Sequence, residues 1–198
     1  MTYAIIGSGA IGSALASQFS RRRSDVLLTN SRGPSSLTDL VRDLGPNIIA
    51  VSAREAFRAD IVILAVPFKA VPDAVRDFPD WNGRIVVDAG NAINVPAFTP
   101  MDLGGRPSSE IVADAVPGAR VVKAFNTLPA ALLATDPSQN GGRRVLFLSG
   151  NEPGANSEIA NLIERLGFAA IDLGRLSEGG RLQQFEAVLP RLNLVRLG

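Results

Sequence analysis

Tyr3-Ala4-Ile5-Ile6-Gly7-Ser8-Gly9-Ala10-Ile11-Gly12 is a short apolar run followed at once by three glycines in G-x-G-x-x-G spacing. Residues 3–6 read as a strand. The apolar residues recurring through 10–20 at helical spacing read as the helix behind it. Between these elements each glycine has its own task. Gly7 permits the tight turn, Gly9 lets the backbone approach a pyrophosphate, and Gly12 lets the helix pack close to the strand. Ser8, Ala10 and Ile11 fill the remaining positions, and the exposed N–H groups at the helix start form an anion site. In this strand–turn–helix context the motif predicts a dinucleotide-binding turn.

Working outward, short apolar strands alternate with helical patterns. Strands are expected at 26–29, 48–51, 61–66, 84–88, 120–125, 143–149 and 169–173. Helices are expected at 35–43 (opened by a serine cap after Pro34), 108–116, 156–166 and 177–189. Residues 61–66 are a continuous apolar run, the mark of a strand buried on both faces, and Pro67 stops it. Residues 89–106, rich in Gly, Pro and Asn, read as a loop, and 136–142 as a polar turn. The alternation predicts an α/β fold: a doubly wound, mostly parallel Rossmann-type sheet with helices on both faces. We expect one domain over residues 1–198, with 1–125 as dinucleotide-binding core and 126–198 as a C-terminal α/β extension.

Composition narrows the chemistry. The 198 residues carry a net charge of +1, which gives no footprint for nucleic acid or an anionic membrane. There is no cysteine and no histidine. Thiolate nucleophiles, the commonest metal ligands and the commonest general acid/base are therefore absent, and no metal site is expected. The start runs straight into a strand without a basic leader, and no apolar run approaches a membrane span, so the expected compartment is the cytoplasm.

The end of the second strand chooses between dinucleotides. An NAD reader places an acid there, about 20 residues beyond the glycines, to bond the ribose 2′-hydroxyl. This chain has Thr29-Asn30-Ser31-Arg32-Gly33 instead. No carboxylate repels a phosphate, Ser31 offers a donor, and Arg32 offers a planar fork suited to phosphate oxygens. The reading is NADP(H).

These residues resemble the coenzyme F420-dependent NADP oxidoreductase family, which includes the NADP-binding domains of Steap-type metalloreductases. The matching stretches are Gly7–Gly12, Asn30-Ser31-Arg32, Ala65-Val66-Pro67, 86–91, 108–113, 121–129 and 174–184, so the likeness runs along almost the whole chain. Val121-Val-Lys-Ala-Phe-Asn-Thr-Leu-Pro129 is its most specific part. The resemblance implies NADP held as above and hydride exchange with a flavin or deazaflavin (F420, FMN or FAD) at the carboxyl edge of the sheet. It further implies that Val66, Pro67, Ala89 and Gly90 flank the nicotinamide. Phe125, Asn126 and Thr127 would form part of the acceptor wall, facing Pro67, Phe68 and Lys69. Phe68-Lys69-Ala70 stands where the deazaflavin branch is expected to carry Trp-Glu-His, and Asn126 where it is expected to carry a histidine. Both departures fall on the acceptor side and leave the acceptor's identity open.

Carbonyl reduction needs a proton donor, usually His, Tyr or Lys. Tyr3 lies at the wrong end of its strand, and Lys69 and Lys123 are the only lysines. Lys69 reads either as a weak catalytic candidate reaching the crevice or as a solvated lysine on a helix start. Lys123, inside a strand, reads as snorkelling from the sheet. Thr127 reads either as a helix N-cap before Pro129 or as a ligand contact. A flavin-type ring carries its own electronics, so a site without His or Cys is no handicap. The alternatives are an imine reductase resembling pyrroline-carboxylate reductase and a non-catalytic NADP-binding redox sensor. The expected partner is a small-molecule hydride acceptor. The apolar tail 185–197 reads either as a homodimer surface or as packing on the chain's own sheet.

Overall fold

The computed structural model describes residues 1–78 and 80–198. The elements run β1 (Tyr3–Ile6), α1 (Ala10–Arg21), β2 (Val26–Thr29), α2 (Thr38–Leu44), β3 (Ile48–Ala50), α3 (Ala53–Ala56), β4 (Ile61–Leu64), α4 (Val71–Val75) and β5 (Ile85–Asp88). They continue with β6 (Ile93–Asn94), β7 (Thr99–Pro100), α5 (Ser108–Ala115), β8 (Arg120–Ala124), α6 (Ala130–Leu133), β9 (Ser138–Gln139) and β10 (Gly142–Gly150). The last are α7 (Pro153–Arg165), β11 (Ala169–Asp172), α8 (Gly179–Leu182) and β12 (Val195–Leu197).

The main sheet has the order β11-β10-β8-β5-β4-β1-β2-β3. From β3 to β8 every neighbour is parallel; β10 then pairs antiparallel with β8, and β11 runs parallel to β10. Strand alternation sorts side chains to two layers. Ile5, Leu28, Ile61, Ile63, Ile85, Val87 and Val122 meet α1 and α7. Ala4, Ile6, Val62, Leu64, Val86 and Val121 meet α3, α4 and α5. This two-faced burial explains the continuous apolar runs in the sequence. It makes the fold the expected α/β Rossmann-like one. Among the described residues no helix is long and apolar enough to cross a membrane.

Several local expectations need correction. The expected serine-capped helix at 35–43 is a 3-10 turn, Pro34–Leu37, leading into α2, and neither start has a side-chain cap. The helix expected at 177–189 survives only as α8. Beyond it Glu186 and Arg191 adopt left-handed φ of 65° and 72°, which no helix accommodates. The loop 89–106 contains the β6–β7 hairpin, and the turn 136–142 contains β9, paired with β10. In the tail, Leu189 packs near Val145 and Phe147 and β12 pairs with β10, while Val188, Leu192, Leu194 and Leu197 are exposed.

Candidate functional site

The strand order reverses between β1 and β4, and a cleft of about 480 Å³ opens there, beyond their carboxyl ends. It is lined by Gly7, Ser8 and Gly9 after β1, by Asn30, Ser31 and Arg32 after β2, and by Val66 and Pro67 after β4. Three separate stretches singled out by sequence thus meet in one place.

The glycines divide as the motif requires. Gly7 has φ +109°, and a Cβ there would lie 2.5 Å from the Ala65 carbonyl oxygen. A Cβ on Gly12 would lie 1.9 Å from the Gly7 carbonyl oxygen, so α1 rests directly on the turn. Around Gly9 a Cβ would meet nothing within 4 Å. Its missing side chain therefore leaves room on the cleft side and serves no internal contact. Helix α1, which Ala10 begins and Ile11 continues, has no side-chain cap and no acid in its first turn. Its N–H groups and the positive end of its dipole are open to an anion.

Asn30 ties the two turns together. Its Nδ2 donates to Ser8 Oγ at 2.9 Å, and its Oδ1 accepts from the Arg32 N–H at 2.9 Å and from Ser36 Oγ at 3.1 Å. Ser31 and Arg32 are exposed at the rim, and the Arg32 guanidinium has no hydrogen-bond or ion-pair partner among the described residues. Thr29 borders the cleft, and its buried Oγ1 has no partner among the described residues. An open glycine cradle, an uncapped helix start, an orphaned hydroxyl and a free guanidinium together fit a dinucleotide carrying a 2′-phosphate.

The second pair of turns lies beside the first. A Cβ on Gly90 would lie 3.6 Å from the Val66 carbonyl oxygen, so the turns after β4 and β5 touch. Ala89 itself is buried in the layer under α1. Beneath Gly90 sits a group whose arrangement the sequence did not reveal. Lys123 is fully buried and donates to Asp88 Oδ2 at 3.1 Å, to the Gly90 carbonyl at 3.2 Å and to Ser108 Oγ at 3.3 Å. The expectation that Lys123 snorkels to solvent is therefore wrong: its partners come to it, inside the sheet. Asp88 in turn accepts from Ser109 Oγ at 2.6 Å and from the Gly90 N–H at 3.0 Å. The available signal was a charge at the end of each of two apolar central strands, which side-by-side pairing would satisfy.

The residues expected on the acceptor side do not gather in one place. Phe68 and Lys69 lie along a shallow groove with Pro72 and Ile111, between α4 and α5, and Lys69 is exposed. Phe125 has φ +65° and its ring is fully buried in the core. Asn126 and Thr127 line a different cleft, of about 400 Å³, with Asn91, Phe98, Phe185 and Arg191. There Asn91 Nδ2 donates to the Asn126 carbonyl and Asn126 Nδ2 donates to Asn91 Oδ1, both at 2.9 Å. The Arg191 guanidinium stands 5.3 Å from the Phe185 ring centre. Thr127 caps no helix: Pro129 holds the cap position of α6, and no side chain bonds there.

Residues 2–92 match the model of the family described as NADP oxidoreductase coenzyme F420-dependent. A hypothetical protein from Sinorhizobium meliloti is 56% identical, with a TM-score of 0.96 over 99% of this chain and 96% of that one. A candidate F420-dependent NADP reductase from Arthrobacter sp. FB24 is 25% identical, with a TM-score of 0.75 over 89% of this chain and 86% of that one. The metalloreductase STEAP3 of Rattus norvegicus is 27% identical over 190 residues, 95% of this chain and 36% of that protein. This chain spans about a third of the length of the curated relatives it matches.

Proposed function

We propose that this chain, whose residues 2–92 match the model of the coenzyme F420-dependent NADP oxidoreductase family, binds NADP(H) in the β1–β4 cleft and exchanges a hydride with a flavin or deazaflavin ring. The observation that carries the reading is the rim of that cleft. Ser31 and an unpaired Arg32 stand where an NAD reader would need a carboxylate. NADPH held there would supply the hydride, and a ring acceptor would take it up together with a proton from solvent.

The chain's own residues do the rest by placement. Gly7, Ser8, Gly9 and the start of α1 hold the pyrophosphate, and Asn30 keeps the Arg32 turn in register with that loop. Val66, Pro67 and Gly90 set the nicotinamide end. The Asn91–Asn126 cleft, with Phe98 and Phe185 as apolar faces and Arg191 as the cation, receives the acceptor ring and an anionic tail. Lys69, in its own groove, becomes peripheral. Neither cleft offers a histidine, cysteine or tyrosine to protonate an alkoxide, which favours a ring acceptor over simple carbonyls. Stopped-flow oxidation of NADPH against F420, FMN, FAD and small cyclic imines tests the reading. Turnover with a ring acceptor supports it. Turnover confined to imines favours an imine reductase, and NADPH binding without any turnover favours a redox sensor.

A further inference from the structure

A lysine with no exposed surface inside a central strand of the sheet has to be accounted for. Two apolar residues at the ends of β5 and β8 would pack there without the cost of desolvating two charges, and such replacements are often neutral or stabilising. The strands nevertheless carry Asp88 and Lys123 at paired positions in the register. All three protons of the ammonium find acceptors: Asp88, Ser108 and the Gly90 carbonyl. One carboxylate oxygen of Asp88 accepts from Lys123 and Ser109, and the other accepts from the Gly90 N–H. The Gly90 residue is thus gripped at both of its backbone polar groups by two oppositely charged side chains.

This grip continues outward. Asn91, the next residue, is locked to Asn126, and Asn126 Nδ2 also donates to the Gln183 carbonyl at 2.7 Å. Gln183 is fully buried, with its side chain bonded to Asn126, Phe147 and Ser149. One buried polar network therefore runs from Asp88 under the turn after β5 to the segment that walls the second cleft. Fully satisfied networks of this kind fix backbone position sharply, because each alternative geometry strands a buried polar group.

We infer that Lys123 and Asp88 are a positioning pair that sets the Gly90–Asn91 backbone against the nicotinamide end of the dinucleotide, an inference that rests on the NADP(H) reading above. Lys123 does not serve as an acid: its nitrogen is sealed from both clefts and its protons are committed. The pair, on β5 and β8, lies three strands or more from β2 and the Ser31–Arg32 turn, so its influence falls on one end of the ligand only.

The experiment compares NADPH with adenosine 2′,5′-bisphosphate, which carries the adenine end and its 2′-phosphate but no nicotinamide. Calorimetric affinities and thermal melts are measured for wild type, Lys123→Met, and the double variant Asp88→Asn/Lys123→Met. The double variant leaves no unpaired buried charge and so guards against simple unfolding. In both variants NADPH should bind roughly ten- to hundredfold more weakly, the scale of a lost bond to a charged group. The bisphosphate should change by less than about twofold, and amide exchange at Gly90 and Asn91 should accelerate. Equal weakening of both ligands, no weakening of either, or loss of the fold in both variants would overturn the inference. A wild-type chain that bound neither compound would refute the cofactor reading itself, and the inference with it.

Discussion

Asn30 Nδ2 donates to Ser8 Oγ across 2.9 Å, which ties the turn that follows β1 to the turn that follows β2. The first carries the glycine cradle and the second carries Arg32. A ligand reaching from cradle to guanidinium finds its two anchors already spaced, and little ordering remains to be done on binding.

Arg32→Ala should therefore weaken NADPH binding by about 1.5–3 kcal/mol, the loss expected for a charge-assisted pair, and leave NADH nearly unchanged. Titration of both dinucleotides measures this. Equal losses would mean that Arg32 does not meet the phosphate.

The two glycines should part company. Gly9→Val adds a side chain to open space, so circular dichroism and melting should stay near wild type while NADPH binding is lost. Gly12→Ala instead forces a carbon to within 1.9 Å of the Gly7 carbonyl oxygen. It should lower stability by about 2 kcal/mol or more, by an overpacking mechanism. A Gly9→Val chain that binds NADPH normally would show the turn to be structural only.

Thr29→Val replaces a buried hydroxyl that has no partner among the described residues with a methyl of similar shape. The unliganded chain should gain up to about 1 kcal/mol, since an unsatisfied buried group is removed. A clear drop in melting temperature would show that the hydroxyl is bonded within the free protein.

Glu164 supplies the pH dependence. Partial burial alone would raise its carboxyl, but the Ala170 N–H and Arg143, with Arg196 nearby, outweigh this and hold it below its ordinary value of 4.5. A lowered folded value adds stability above the unfolded value and loses it as pH falls through the folded one. Wild type should thus lose stability steadily as pH drops below about 4.5. Glu164→Gln should show a flatter acid limb and a loss near pH 7 of less than about 1 kcal/mol, because the group is about a third exposed. Urea titrations between pH 3 and pH 7 decide it. Parallel acid limbs in the two proteins would sink the assignment.

The β1–β4 cleft was legible because its information is local. G-x-G-x-x-G, the missing acid after Thr29 and Pro67 after an apolar run are each read within a few residues. The Lys123–Asp88 pair was not, because it exists only through the β5–β8 register, which no spacing along the chain announces. The second cleft was read in fragments for a related reason. Its walls come from the β6–β7 hairpin, which read as loop, from 126–129, and from 185–191, where a helix was expected and irregular chain is found. Phe125, which the family resemblance placed on the acceptor wall, turns its ring into the core at a left-handed backbone angle. Thr127 failed as a cap because Pro129 already occupies the position that begins α6.

The contact between Gly7 and Ala65 has a consequence for how the molecule is assembled. These residues adjoin because Ile6 pairs with Leu64, two strands joined through everything between them in sequence. During synthesis the glycine turn emerges long before the wall on which it rests. Parallel pairing over such a separation is slow to nucleate. The cleft proposed for the dinucleotide thus comes into existence only when β4 docks beside β1. A ligand can deepen the stability of the finished sheet in proportion to its concentration, but it has nothing to template in the opening strands of a nascent chain.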